Sequence, residues 1–312
     1  MNDNINLVHT LLREKAELQA RLNLIPYDGT VEIKEVSSKK YLYIRKRILG
    51  KVQSTYVGIY SEELYLLLLK SVKEAKSIKK QIRLIEKELA KLNFVQEELS
   101  NEVIKNIDLV RTNMKNIIYD QAILEGVSTT FPDTELILEN GKVNNISVED
   151  VLKIINLKHA WEFILDKDVI LSNTSYFLSQ HIAKLVNESL FVNGGKIRQI
   201  PVRIGGSEYI PPIPSEYDVK EKIEHIVNQN KEDIDKAIEL ALYVMRTQIF
   251  TNGNKRTAVI LANHYLISKG KGLMVVPYSK VTEFKKMLVE FYDTNDNYRI
   301  SNFFKSECWM KL

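Results

Sequence analysis

The sequence is most easily read from what it lacks. It has one cysteine, Cys308, among 312 residues, so no internal disulfide can form and a reducing compartment is expected. Seven prolines and twelve glycines leave few sharp turns, and there is no internal repeat and no low-complexity linker. No run approaches the ~20 apolar residues needed to span a bilayer, and no apolar export segment follows Met1. A cytoplasmic protein with no membrane partner is the expectation. The net charge of +4 is too small to indicate a ligand by itself. Hydrophobic residues make up 45% of the chain, ordinary for a globular protein, and the length allows one large or two modest domains.

The positive charge is unevenly placed. Over residues 1–95 Lys and Arg exceed Asp and Glu by 18 − 11 = 7, so the remainder is slightly acidic. Leu7, Leu11, Leu12, Leu18 and Leu22 describe an amphipathic helix. Residues Lys40–Ile48 and Val52–Tyr60 read as a strand pair turning at Leu49-Gly50-Lys51, and a long helix starts near Ser61. In it Ile78, Ile82, Ile85, Leu89 and Leu92 form a coiled-coil seam of about two heptads. That seam fits packing on the first helix or a homodimer zipper.

On the first strand Tyr41, Tyr43, Arg45 and Arg47 share one face by the period of two. With Lys39, Lys40, Lys46, Lys51 and Tyr56 they make a basic, aromatic ribbon. Such a ribbon suits contact with nucleic acid, docking of a protein, or a solvated hairpin whose tyrosines rest on the next helix. This strand–helix pattern resembles small bacterial domains of unassigned function.

Beyond residue 93 helices dominate: Val95–Leu124, Asp150–Leu165, Ser175–Val192, Asp235–Thr247, Lys255–Ser268, Thr282–Tyr292 and Asn302–Cys308. A turn at Thr129–Pro132, another at Asn140-Gly141 and a cap at Asn144–Ser147 separate them. The division expected is a β-hairpin and coiled-coil module over 1–95 and a mainly α domain over 96–312, with a long helix free to run through the boundary.

The most informative stretch is Gln248-Ile249-Phe250-Thr251-Asn252-Gly253-Asn254-Lys255-Arg256, between two predicted helices. A Gly-containing turn there aims consecutive N–H groups at one point, at a helix N-terminus that favours an anion. Lys255 and Arg256 add fixed charge, so Gly253, Asn254, Lys255 and Arg256 form a candidate phosphate cradle. The same residues also fit an ordinary helix-turn-helix connection with Asn254 as the N-cap.

This stretch resembles the signature of the Fic/Doc (Fido) family, H-x-F-x-[D/E]-G-N-[G/K]-R. Phe250, Gly253, Asn254, Lys255 and Arg256 match it, with Phe250 as the packing residue. Gln248 stands at the catalytic His position, Asn252 at the metal-binding carboxylate, and Val259 at the frequent second Arg, which Doc-type members also lack. Gly195–Arg198 and Val202–Pro212, with Ile204, Gly205, Gly206 and Tyr209, resemble the family's target-docking flap, a short β-hairpin. Gln121-Ala122-Ile123-Leu124-Glu125-Gly126 resembles the inhibitory helix of the subclass with an N-terminal brake, near residues 119–126, with Gln121 in place of its Ser or Thr. Glu125-Gly126 also fits a plain helix stop with Gly126 left-handed.

The resemblance implies a mainly α Fic fold, ATP and Mg²⁺ as ligands, and transfer of AMP to Ser, Thr or Tyr hydroxyls by a nucleotidyltransferase. Gln248 has no site that titrates near neutral pH, so it cannot take the hydroxyl proton. Asn252 offers Mg²⁺ a neutral oxygen only, which leaves the metal weakly held or carried by the nucleotide. Glu125 would have to pair with Arg256 or the turn, since Val259 replaces its usual partner. An ATP-binding pseudoenzyme of the adenylyltransferase type is the leading expectation. The alternatives are an active AMP- or phosphotransferase toxin with a substitute base and a non-catalytic adaptor or toxin–antitoxin-type partner. Among His9, His159, His181, His225 and His264 none has an obvious claim to replace the base.

Overall fold

The computed structural model describes residues 2–25, 27–48, 51–92, 94, 98–139, 141–144 and 146–312. The expected turn at Leu49-Gly50, Asn140 of the Asn140-Gly141 turn, part of the Asn144–Ser147 cap and part of the 93–100 boundary lie outside these residues, as do the side chains of His9 and Arg47. The chain divides into two compact units, Met1–Gln96 and Glu97–Leu312.

The first unit runs α1 (Asn2–Leu24), β1 (Thr30–Val36), β2 (Lys39–Ile48), β3 (Lys51–Ile59) and α2 (Glu62–Lys91). The three strands form one antiparallel sheet in the order β1-β2-β3. β1 was not expected. Its hairpin turn is Ser37-Ser38, both with positive φ (51° and 64°), a conformation that a hairpin usually signals with Asn-Gly. α2 starts where Ser61 caps it, its hydroxyl accepting from Leu64 N at 3.2 Å. The seam closes inside this unit: Ile78, Ile82 and Leu89 are buried, as are Leu12, Ala16 and Ala20 of α1, and α1 packs on α2. Small residues on α1 let the two helices approach closely and take up the apolar stripe. Within the unit the seam of Ile78, Ile82, Ile85, Leu89 and Leu92 thus packs on the first helix, one of its two expected readings.

The second unit is mainly α: α3 (Asn101–Leu124), α4 (Phe131–Leu138), α5 (Val148–Ile164), α6 (Lys167–Ile170), α7 (Tyr176–Val186), α8 (Glu216–Asn228), α9 (Asp233–Thr247), α10 (Asn254–Ser268), β4 (Leu273–Met274), α11 (Val281–Thr294), α12 (Tyr298–Phe303) and β5 (Trp309–Met310). The Thr129–Pro132 turn is the start of α4, because Thr130 caps it and Pro132 occupies the first turn. α10 is the central helix, buried on all sides from Arg256 to Ile267, which is why its sequence has little amphipathic contrast. It packs on α3, α5, α7 and α9, and those contacts fix its N-terminus, where the loop 248–254 arrives.

Candidate functional site

α9 ends at Gln248, whose backbone is left-handed (φ 49°, ψ 57°), a conformation uncommon for a non-glycine residue. The chain then turns and re-enters a helix at Gly253 (φ 74°). A Cβ at Gly253 would lie 2.9 Å from Asn187 Nδ2 and 3.1 Å from Val186 Cγ2, so the position needs glycine for both conformation and space. Asn254 is neither an N-cap nor a free donor. Its Oδ1 accepts from Phe250 N at 2.9 Å, and its Nδ2 donates to Phe250 O at 2.7 Å and Gln248 Oε1 at 3.0 Å. The residue expected at the phosphate therefore closes the loop on itself. Phe250 is buried, as expected of a packing residue.

Gln248 is engaged at both ends of its amide. Nε2 donates to Met245 O at 2.6 Å, and Oε1 accepts from Asn254. The side chain is folded back on the end of α9.

Arg256 is turned inward. It is 2% exposed, and its guanidinium donates to Val186 O at 2.6 Å, Asn187 Oδ1 at 3.3 Å and Asn252 Oδ1 at 3.0 Å. Its Nε lies 3.3 Å from Glu125 Oε2, an ion-pair contact. Burial lowers the Arg256 pKa and Glu125 opposes that shift. Three of its five N–H donors are engaged in those hydrogen bonds, and Nε is buried without a hydrogen-bond partner, so Arg256 faces the protein interior rather than solvent. Glu125 is itself nearly buried. Its Oε1 has no hydrogen-bond partner, with Lys255 Nζ 3.9 Å away. Lys285 of α11 adds a third cation, its pKa lowered by burial and by Lys255, with Glu125 opposing.

Glu125 is at once the C-cap of α3, before left-handed Gly126, and a neighbour of Arg256. The helix-stop geometry is present, and so is the Arg256 contact that the resemblance implied for Glu125. Gln121 is buried one turn earlier. It donates to Arg256 O at 3.1 Å and accepts from Trp161 Nε1 at 2.8 Å, tying α3 to α10 and α5.

Asn252 does not fit a metal ligand. Its one acceptor side-chain oxygen faces the Arg256 guanidinium, and a cation placed there would meet that charge at close range. Among the described residues no group of three or more His, Cys, Asp or Glu side chains is arranged to hold a metal ion. The loop itself, residues 248–254, offers Mg²⁺ no carboxylate. No described histidine stands at Gln248's position either. His264 is buried between Thr174 (2.8 Å) and Val169 O (2.9 Å), and burial lowers its pKa to about 4; His181 is stacked on Phe163; His159 faces Glu188 at 3.3 Å.

The region from α7 to α10 matches a known family model: residues 173–266 match Fic/DOC. This segment belongs to the Fic/DOC family. A fragment of Fic-1 from C. elegans is similar in structure, with 20% identity, 78% of this chain and 73% of that chain covered, and a TM-score of 0.54. A Fic domain containing signaling protein from Bacteroides thetaiotaomicron is similar at 17% identity, over 62% of this chain and 76% of that one, with a TM-score of 0.50. A Fic family protein from Desulfovibrio desulfuricans shows 12% identity, 68% and 73% coverage and a TM-score of 0.50. At such identities the likeness carries the fold alone. Residues 7–66 match a domain of unknown function, DUF6788. No curated protein sequence matches the chain.

The flap segment of the Fic/DOC domain is held differently from a laddered hairpin. Residues 201–214 contain no strand; an isolated bridge joins Ile197 to Phe250, and Arg198 N donates to Ile249 O at 2.8 Å. The turn itself falls at Ile204-Gly205-Gly206-Ser207, with Gly206 at φ 80° and Ser207 N donating to Ile204 O at 3.2 Å. Asp293 of α11 holds its tip, accepting from Ser207 Oγ, Glu208 N and Tyr209 N at 2.5, 3.0 and 3.2 Å. The Arg246 guanidinium lies 3.8 Å over the Tyr209 ring. Side-chain anchors have replaced the strand ladder.

The anchoring roles of Arg198, within the expected flap segment, and of Asn187 were not foreseen. Arg198 is fully buried and donates to Gln248 O at 2.9 Å, Ile200 O at 2.6 Å and Pro212 O at 2.7 Å, with longer contacts to Pro211 O and Thr247 O. It fastens both ends of the flap to the last carbonyls of α9, where the helix dipole favours a cation. Asn187 donates to Ala183 O and Asn252 O and accepts from Arg256. Beside the loop, a cleft of about 650 Å³ is walled by Phe250, Thr251 and Asn252 together with Gln180, Phe191 and Ile197.

Proposed function

We propose that the second unit is a Fic-type nucleotide-binding domain, related to protein adenylyltransferases, that no longer performs the transfer step. The observation that carries this reading is Gln248. At the position of the family's base it has no titratable site, and both ends of its amide are committed to Met245 and Asn254. A hydroxyl brought to the loop would find no group to take its proton, a deficit of about 10²–10⁴-fold in rate. The substitute-base alternative has no support among the described histidines.

Binding has better support than catalysis. The first-turn N–H groups of α10 lack partners within the helix, and Lys255 and Lys285 stand near them as half-buried cations. Arg256 contributes through the field of its charge and by holding the loop. Glu125 sits among these cations with one oxygen unsatisfied, where it competes with any incoming phosphate. In this reading the glutamate is a resident anion, and its removal favours nucleotide.

Thermal shift with ATP tests the reading. ATP at 100 times its Kd should stabilise the protein by ~2.7 kcal/mol. Lys255→Ala should lower the affinity and Glu125→Gly raise it. Absence of any shift with ATP, in wild type and in Glu125→Gly alike, leaves a non-binding adaptor as the better description.

A further inference from the structure

The three-stranded sheet of the first unit uses one face for its own core. Leu42 and Ile44 of β2 point inward onto Leu68 of α2. The period of two then turns Tyr41, Tyr43 and Arg45 to the opposite face. The register sets Lys34 across from Tyr41, Tyr43 across from Tyr56 and Arg45 across from Ser54, with Lys39 on the same face beside Val36. Tyr56 is 53% exposed, and its ring centroid lies 6.2 Å from that of Tyr41 and 5.6 Å from that of Tyr43. Lys34 Nζ stands 4.5 Å from the Tyr43 centroid. Three tyrosines thus form one contiguous aromatic surface with cations at its edge.

The charge on this sheet is predominantly positive. Residues 30–59 hold seven Lys or Arg and two Glu, a balance of 7 − 2 = +5. Glu32 is the only carboxylate of the tyrosine face among the described residues. It is taken up by Lys34 at 3.5 Å and by the Ser54 hydroxyl at 3.1 Å.

We propose that this face binds single-stranded nucleic acid, with bases stacked on Tyr41, Tyr43 and Tyr56 and phosphates against Lys34, Lys39 and Arg45. Aromatic stacking needs exposed base faces, which a duplex hides and a single strand offers. The cations give charge complementarity to the phosphates. Exposed Val52 and Ile59 at the margin are what a protein partner or second copy would use instead, and the test separates the two.

Full-length protein is titrated by fluorescence anisotropy against labelled oligouridylate and oligothymidylate of about 20 nucleotides and against a duplex of the same length. Saturable binding to one or both single strands, tighter than to duplex, is expected; the preferred strand tells RNA from DNA. Affinity should fall with salt, with a log–log slope near −2 for about three phosphate contacts. Tyr43→Ala should weaken binding on the order of 10-fold or more, while Tyr43→Phe, which keeps the ring, stays within about twofold of wild type. Arg45→Gln should make the slope shallower by about 0.7. The proposal is overturned by no saturable binding at low salt, by equal or tighter binding to duplex, or by Tyr43→Ala leaving affinity unchanged. A self-association in sedimentation that Tyr43→Ala abolishes, without oligonucleotide binding, assigns the face to a second copy and overturns it too.

Discussion

Two arginines are buried on either side of the loop 248–254, and they are held in opposite ways. Arg256 has a carboxylate against it: Glu125 stands at 3.3 Å, and two amide oxygens and one carbonyl accept from its terminal nitrogens. Arg198 has carbonyls only, three of them closer than 3.0 Å. Burial lowers the pKa of both guanidiniums, but Glu125 offsets the shift only at Arg256. A buried charge can therefore be compensated by a second charge or by oriented peptide dipoles. The first arrangement ties the loop to α3 and to a group a ligand could displace. The second ties it to the flap, with nothing to displace.

Removal of one partner tests that contrast most severely. Arg256→Met removes the nearer countercharge of Glu125, leaving Lys255 at 3.9 Å, and should cost about 3–5 kcal/mol in urea unfolding. Adding Glu125→Gln should recover a substantial part of that loss, a coupling that a double-mutant cycle reads directly. Arg198→Met should cost less, about 2–3 kcal/mol, since it strands neutral carbonyls, and no carboxylate substitution should rescue it. A rescue of the Arg198 variant by Glu125→Gln would collapse the distinction. Amide exchange adds a spatial readout: loss of Arg198 should expose residues 198–212, and loss of Arg256 should expose residues 248–256.

Glycine substitutions sharpen the same contrast at smaller scale. Gly253→Ala puts a Cβ at positive φ and 2.9 Å from Asn187, a partner of Arg256, and should cost at least ~1–2 kcal/mol from conformation alone. Gly205→Ala on the flap has nothing within 4 Å and should stay within about 0.5 kcal/mol of wild type. The smallest effect is expected at Asp293→Asn, which weakens the tip contacts of Ser207, Glu208 and Tyr209. Faster limited proteolysis within residues 204–209, at unchanged melting temperature, is its signature.

How much of this was legible in the sequence follows from where each signal resides. The helices were visible because apolar periodicity is local, and the loop because its Gly-Asn-Lys-Arg order matches a family signature. The inward turn of Arg256 was not visible, since it depends on Val186 and Asn187, about seventy positions earlier in the chain. A cation at a helix N-terminus reads the same whether it faces solvent or core. The flap resemblance included Arg198 but not its role: one arginine in a mixed segment becomes a hub only when two chain ends and the tail of α9 converge on it. Strand β1 was missed because Ser37-Ser38 supplies the positive φ that Asn-Gly would have advertised. Gln121 matched no expected role because its partners, Arg256 O and Trp161, come from α10 and α5.

The central claim is that the loop keeps a nucleotide site while Gln248 removes the proton acceptor. Incubation with ATP labelled at the α-phosphate, followed by counting of protein-bound label, tests it most directly. Gln248→His suits the left-handed backbone at that position, which His tolerates better than most residues, and supplies a base of pKa near ~6.5. With Glu125→Gly included to empty the anion position, this double variant should incorporate label on itself or on added protein, while wild type and Gln248→Ala incorporate none. Label on the wild type that is lost in Gln248→Ala would contradict the account, because the glutamine would then be taking part in transfer.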